Sequence, residues 1–185
     1  MIRTERLLLR RWRDDDRIPF AAMNLDPAVR EHYQGVASRE VSDAYVDRVM
    51  AHWEEHGWGP WAVELEDAAP FIGYVGLWPA DFPPGGPAIE VGWRLAHEHW
   101  GHGYATEAAR EALRSGFEDL GLEEIVSFTV PQNVRSRGVM ERIGLVRDPS
   151  GDFDHPNVDP VGYPHLVRHV LYRLSREDWR QRGLP

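Results

Sequence analysis

An apolar strand, a glycine loop and an alanine-rich helix follow one another within residues 93–108. Gly101 and Gly103 lack the side chains that would keep a ligand away from the backbone. The helix that begins near Tyr104 directs its first unpaired N–H groups and the positive end of its dipole toward this loop. The segment therefore predicts an α/β fold with an anion site, most simply for a phosphate, where the strand turns into the helix.

Length and composition restrict the folds, partners and chemistry that this chain can have. The 185 residues fit one domain, 1–185, which is long enough to form a hydrophobic core that is stable without covalent cross-links. The formal charge of -9 disfavours nucleic acid and anionic membranes as partners and favours a cationic one. The chain has no cysteine, which excludes disulfides, a cysteine nucleophile and cysteine-ligated zinc. No run approaches the roughly 18 apolar residues of a membrane span, so we expect a cytoplasmic protein without membrane contact.

Apolar periodicity and turn residues predict alternating strands and helices. Strands are predicted at 7–12, 61–65, 71–78, 89–95, 125–130 and 168–174. Helices are predicted at 18–23, at 42–56, from Tyr104 to a stop at Gly121, and at 133–143. The stretch 148–164 is rich in Asp, Pro and Gly, which predicts a loop.

Other ligands of a glycine loop fit this sequence poorly. The dinucleotide fingerprint requires a third glycine where Thr106 stands, and the phosphate-binding P-loop requires a lysine followed by Ser or Thr. His97, His99 and His102 lack the spacing that places two imidazoles on one helix face for zinc. We therefore expect no metal, and we interpret these histidines as part of a solvated loop.

Residues 95–108, 127–136 and 140–145 resemble, in this order, the motifs of the GNAT family of N-acetyltransferases. They are most similar to the branch that contains the ribosomal-protein N-terminal acetyltransferases, and the resemblance covers nearly the whole chain. It implies an α/β fold with a mixed, mostly antiparallel central sheet of about seven strands and helices on both faces. It also implies a splay between the fourth and fifth strands, the segments at 89–95 and 125–130, and acetyl-CoA as the acyl donor.

The resemblance places the pyrophosphate of coenzyme A on the glycine loop. The family pattern Q/R-x-x-G-x-G/A falls on Trp100, Gly103 and Ala105, and Trp100 departs from the usual Gln or Arg. Because backbone N–H groups bind the phosphates, this departure is expected to weaken the site without abolishing it. The loop residues expected to bind are Trp100, Gly101, His102, Gly103, Tyr104, Ala105 and Thr106.

Further cofactor contacts follow from the same resemblance. The backbone of Trp93, Arg94 and Leu95 matches the strand along which the pantetheine arm lies as an added strand. Asn133 matches the residue that holds this arm from the next strand end. The ribose phosphate is expected to meet Arg137, with Arg135 and Arg142 as alternatives.

Acetyl transfer to an amine requires a group that removes a proton, since an α-amino group has a pKa of roughly 8 and lysine of roughly 10.4. Glu90 is the first candidate, because its apolar neighbours are expected to raise the pKa of its carboxyl. Asp152, Asp154 and His155 form the second candidate group, on the predicted loop. The sequence leaves this choice open.

The departing thiolate of coenzyme A needs a proton donor. Much of the family supplies a tyrosine seven residues after the asparagine, where this chain has Met140. Ser136 is therefore the candidate donor, as in the branch that this chain resembles. Met140 also motivates an alternative, a non-catalytic relative that binds coenzyme A or a partner; a nucleotide enzyme that uses the glycine loop is a second alternative.

The acceptor is expected to be a cationic amine on a small molecule or a peptide, and the sequence leaves a homodimer open. Trp53, Trp58, Trp61 and Trp78 bracket the region where the family receives its amine. These side chains either line an acceptor groove or pack in the core.

Overall fold

A computed structural model of the protein describes residues 1–66 and 68–183. The eight strands of this part are β1 (Ile2–Arg3), β2 (Leu7–Arg10), β3 (Pro60–Leu65), β4 (Ala69–Ala80), β5 (Ala88–Leu95), β6 (Glu124–Thr129), β7 (Val146–Asp154) and β8 (Arg168–Ser175). The α-helices are α1 (Arg17–Leu25), α2 (Arg39–His56), α3 (Tyr104–Arg114), α4 (Val134–Arg142) and α5 (Arg176–Arg182). None of the helices described is long and apolar enough to cross a membrane.

The chain packs as two compact units. Within the described residues, the first unit comprises Met1–Leu77 and Gly92–Ala109, and the second comprises Trp78–Val91 and 110–183. The predicted mixed, mostly antiparallel α/β fold is confirmed, with eight strands where about seven were expected.

The first unit contains β1, β2, β3, β4 up to Leu77 and β5 from Gly92, in the order β1-β2-β3-β4-β5. Strands β1 to β4 pair antiparallel with their neighbours, and all four residues of β2 are buried. Gly73 permits the close approach of β4 and β5, because a Cβ there would lie 2.2 Å from the Arg94 carbonyl oxygen. The Ala96 N–H also donates to the Ile72 carbonyl, at 2.9 Å. Together these contacts fix the end of β5 that runs toward the glycine loop.

Helix α2 was predicted three residues short at its start. Its N-cap is Ser38, whose hydroxyl accepts from the Val41 N–H, and it ends at Gly57 in the left-handed conformation. Helix α3 begins at Tyr104 as predicted and continues after Arg114 as a π-helical turn, at Ser115–Asp119.

The second unit contains β5 up to Val91 together with β6, β8 and β7, in the order β5-β6-β8-β7. Strand β6 pairs antiparallel with β8 over six positions, and the buried side chains Val126, Phe153 and Leu171 form a core cluster. Within the described residues, β5 and β6 run parallel and pair at one position, Glu90 with Val126. A splay between these two strands predicts a short hydrogen-bonded ladder of this kind.

The loop predicted at 148–164 is wrong in its first part. Strand β7 extends to Asp154 and pairs with β8, with a register shift between Asp148 and Phe153. The Asp148 carboxylate accepts from the N–H groups of Ser150 and Gly151, which closes the irregular segment. Because β7 is an edge strand and this segment is a bulge, it tolerates Pro149, which cannot donate to a ladder.

Candidate functional site

The glycine loop has the backbone geometry of an anion cradle. Gly101 and Gly103 have φ angles of 79° and 83°, in the left-handed region that favours glycine. The Gly103 carbonyl accepts from the Glu107 N–H at 3.0 Å, so Gly103 precedes the first turn of α3. Helical geometry leaves the N–H groups at 104–106 without an acceptor inside the helix. These groups and the loop can therefore bind phosphate oxygens.

A salt bridge that the sequence analysis missed anchors this loop. The Glu107 carboxylate accepts from the Thr4 hydroxyl at 2.5 Å, from the Arg6 N–H at 2.9 Å and from Arg6 Nε at 2.7 Å. Arg6 Nη1 also donates to the His102 carbonyl at 2.9 Å. Burial disfavours the Glu107 carboxylate, but these hydrogen bonds outweigh burial and hold its pKa below the usual value. The segment between β1 and β2 thus fixes both sides of the glycine loop.

Trp100 stands where the family pattern has Gln or Arg. Its indole N–H donates to the Leu95 carbonyl at 2.8 Å, and the His97 ring lies 4.7 Å from its own ring. This side chain closes the turn between β5 and the glycine loop. Within the described residues, no group of three or more His, Asp or Glu side chains has the arrangement of a metal site.

Glu90 has the raised pKa that its apolar neighbours predicted. It lies on β5, where it pairs with Val126, and its side chain is half-buried. Burial raises the pKa of its carboxyl to about 8. At this value the group exchanges protons in the range where α-amino groups also titrate.

The alternative base group is less suited to proton transfer. Burial and the neighbouring His169 lower the pKa of His155 to about 4. Asp152 is paired with Arg147 at 2.5 Å and accepts from the Leu171 N–H, and Asp154 is paired with Arg168 at 3.2 Å. These residues stabilise β7 and the segment after it, so Glu90 is the better candidate.

Asn133 and Arg137 organise the start of α4. The Asn133 side chain accepts from the Ser136 N–H at 3.2 Å and donates to Thr129 Oγ1 at 3.0 Å. Arg137 donates to the Tyr172 hydroxyl and the Pro131 carbonyl. Ser136 is half-buried in the first turn of this helix. The predicted cofactor and proton-donor roles of these three residues remain predictions.

Two of the four bracketing tryptophans belong to the core. Trp53 and Trp61 are buried, with ring centroids 5.7 Å apart, and the Trp53 indole N–H donates to the Pro60 carbonyl. Trp58 and Trp78 are half-buried. The structure therefore favours packing over an acceptor groove for Trp53 and Trp61.

The predicted residues divide between the two units. The first unit brings together the end of β5, the glycine loop and the start of α3: Trp93, Arg94, Leu95, Trp100, Gly101, His102, Gly103, Tyr104, Ala105 and Thr106. The second unit contains Glu90, Asn133, Ser136 and Arg137. Glu90 precedes Trp93 by three residues on the same strand, so β5 contributes to both groups.

Comparisons with known proteins place this chain among acetyltransferases. A model of the acetyltransferase (GNAT) domain matches residues 6–146. The uncharacterized protein YkkB of Bacillus subtilis is 30% identical over 143 residues, which cover 77% of this chain and 83% of that protein. FsC-acetyl coenzyme A-N(2)-transacetylase of Aspergillus fumigatus is 38% identical over 96 residues, 52% of this chain and 40% of that protein.

A solved structure is similar along almost the full chain. The acetyltransferase (GNAT family) from Bacillus anthracis has a TM-score of 0.76 at 27% identity. The match covers 95% of this chain and 98% of that one.

Proposed function

Because this chain belongs to the GNAT family of acetyltransferases, we propose that it transfers the acetyl group of acetyl-CoA to a primary amine of a small molecule or a peptide. The observation that carries the proposal is the glycine loop, in which Gly101 and Gly103 turn the chain directly into the unpaired N–H groups of α3. The similarity to the ribosomal-protein branch makes a peptide N-terminus one of the candidate acceptors.

The donor would be held by backbone more than by side chains. The N–H groups at 104–106 would bind the pyrophosphate, and the backbone of Trp93, Arg94 and Leu95 would align the pantetheine arm. Asn133 would hold this arm from α4, and Arg137 would meet the ribose phosphate. Arg6 and Glu107 contribute indirectly, because they fix the glycine loop against the start of the chain.

The chemical step needs a base and an acid. The amine nitrogen attacks the thioester carbonyl carbon, and Glu90 takes the proton that the nitrogen loses as the C–N bond forms. The C–S bond then breaks with its electron pair on sulfur. Ser136 gives its hydroxyl proton to this thiolate and regains a proton from solvent, and Glu90 returns its own proton to solvent. The pKa of Glu90, about 8, lies closer to the pKa of an α-amino group, roughly 8, than to that of a lysine side chain, roughly 10.4. Glu90 is therefore better matched to an α-amino acceptor.

The first test separates the candidate ligands of the glycine loop. We expect acetyl-CoA and CoA to raise the melting temperature of the protein, and NAD and ATP to leave it unchanged. Stabilisation by NAD or ATP in place of acetyl-CoA would identify a nucleotide enzyme and overturn the proposal.

The second test concerns turnover and the base. Thiol release from acetyl-CoA is measured against a panel of amines, for the wild type, Glu90→Gln and the exposed control Glu98→Gln. We expect Glu90→Gln to lower kcat by about 10²-fold with acetyl-CoA binding unchanged, and Glu98→Gln to retain activity. Binding of acetyl-CoA without turnover of any amine would instead indicate the non-catalytic relative that Met140 suggests.

A further inference from the structure

Two arginines share one aromatic ring in the first unit. Arg30 lies in the segment between α1 and α2, and Arg94 lies on β5. Their guanidinium carbons are 4.4 Å and 4.2 Å from the centroid of the Tyr33 ring. The Arg94 guanidinium is also 5.5 Å from the centroid of Tyr74. Two cations are therefore held close together by π faces.

Neither arginine has a carboxylate partner in the part of the chain that the structure describes. Arg30 Nε donates to the Gly35 carbonyl, and Arg94 Nη1 donates to Asn24 Oδ1, both at 2.8 Å. Arg94 Nε is buried and has no hydrogen-bond partner among the described residues. The two cations thus contact only neutral groups.

The buried Arg10 is a cation of the same unit with a structural role. Its guanidinium pairs with Asp16 at 2.8 Å and with Glu64 at 2.8 Å. The chain has 30 acidic and 21 basic residues, so carboxylates are abundant. Among the described residues no carboxylate plays this part for Arg30 or Arg94, so these two half-buried cations differ from Arg10.

Two unneutralised cations in one partly buried cluster are unfavourable. Burial and the charge of Arg94 both lower the pKa of Arg30, whereas at Arg94 burial is outweighed by the neighbouring Tyr33 and Tyr74, which raise the pKa. Cation–π contacts and carbonyl acceptors offset only part of the cost of burying charge, and the unpaired Nε–H adds to that cost. An oxygen anion would neutralise the pair and supply the missing acceptor.

We propose that Arg30 and Arg94 form an anion subsite that binds a carboxylate or phosphate group of the acceptor. Arg94 stands between Trp93 and Leu95, whose backbone is assigned to the donor, so an acceptor held there lies beside the donor strand. The proposal rests on the proposed function and narrows its substrate class to amines that also carry an anionic group. The ammonium of such an acceptor still matches the negative charge of the chain.

The direct test measures anion binding without any turnover. Arginine Nε–H signals are followed by NMR while acetate or inorganic phosphate is added at constant ionic strength. We expect a saturable shift of the Arg94 signal in the wild type and at least about a tenfold weaker response in Arg30→Gln. The matched control is Arg48→Gln, because Arg48 is an exposed cation over the neighbouring Tyr45 ring, at 5.7 Å. The anion whose shift saturates at the lower concentration, acetate or phosphate, shows whether the subsite prefers a carboxylate or a phosphate group.

No saturable shift with either anion would overturn the subsite, and so would equal responses of the wild type and Arg30→Gln. Turnover adds a second readout: amino acids are compared with their carboxamides, and phosphoethanolamine with ethanolamine. We expect Arg30→Gln to raise KM for the anionic member of the accepted pair by about tenfold and to leave KM for acetyl-CoA unchanged. Equal use of anionic and neutral acceptors contradicts the subsite but leaves acetyl transfer intact, whereas failure to bind acetyl-CoA contradicts the proposed function.

Discussion

Replacing Glu90 by glutamine should change how the stability of the protein depends on pH. The folded protein holds the Glu90 proton with a pKa of about 8, whereas an unperturbed glutamate has a pKa of 4.5. Because the pKa is raised in the folded state, the unfolded chain loses this proton first as pH rises. The free energy of unfolding therefore falls between these two values, and this contribution is constant below 4.5 and above about 8.

The size of the effect follows from the pKa difference. Each pH unit between the two pKa values removes at most about 1.4 kcal/mol from the free energy of unfolding. Between about pH 5.5 and about pH 7.5 the loss amounts to about 2.5 kcal/mol. Glutamine carries no titratable proton, so Glu90→Gln should lack this component and gain stability relative to the wild type as pH rises.

The assay is urea unfolding, followed by tryptophan fluorescence at several pH values in this range. The informative quantity is the free energy of unfolding of Glu90→Gln minus that of the wild type. The same difference for Glu98→Gln, an exposed site, should not follow this slope. A Glu90→Gln difference that is independent of pH would refute the burial argument and with it the assignment of Glu90 as a base poised near pH 8.

Three further predictions concern the elements that position the site. Glu107→Gln should lower the free energy of unfolding, measured with urea at neutral pH, by about 1–2 kcal/mol. This difference from the wild type should shrink as pH falls below 4.5, because the Glu107 side chain, whose pKa is lowered, stabilises the fold only while it is ionised. Gly73→Ala should lower the melting temperature far more than Gly57→Ala. A Cβ at Gly73 would lie 2.2 Å from the Arg94 carbonyl oxygen, whereas a Cβ at Gly57 would meet nothing within 4 Å. Equal shifts of the melting temperature would contradict the close approach of β4 and β5. His155→Asn should leave the pH profile of kcat unchanged, and loss of the acid-side limb, on which a general base is inactivated by protonation, would transfer the base to His155.

The parts of the fold that were predictable have strong local signals. The start of α3 follows from two glycines and an alanine-rich apolar face, and Gly57 marks the end of α2. The raised pKa of Glu90 follows from its apolar strand neighbours. Strand β7 was missed because Pro149 and Gly151 are loop signals, and only an edge position with a bulge makes them compatible with a strand.

Contacts between distant segments had no local signal. Arg6 and Glu107 are 101 positions apart, and no periodicity connects them. Arg30 and Arg94 likewise come together only in the tertiary fold. The sequence predicts a role for the Arg94 backbone, whereas the side chain forms the proposed anion subsite. Tryptophan spacing left open both a groove and a core, and burial decided for Trp53 and Trp61.

The central claim is that the glycine loop binds the phosphates of acetyl-CoA, and calorimetric titration with acetyl-CoA tests it most directly. Gly101 and Gly57 make a matched pair, because both have a left-handed backbone and open space around a Cβ. Gly101→Glu would place a carboxylate at the phosphate site, whereas Gly57→Glu would place one at the end of α2. The account predicts similar Kd values for the wild type and Gly57→Glu, and a Kd at least about tenfold higher for Gly101→Glu. No binding to the wild type, or equal Kd values in all three proteins, would contradict it.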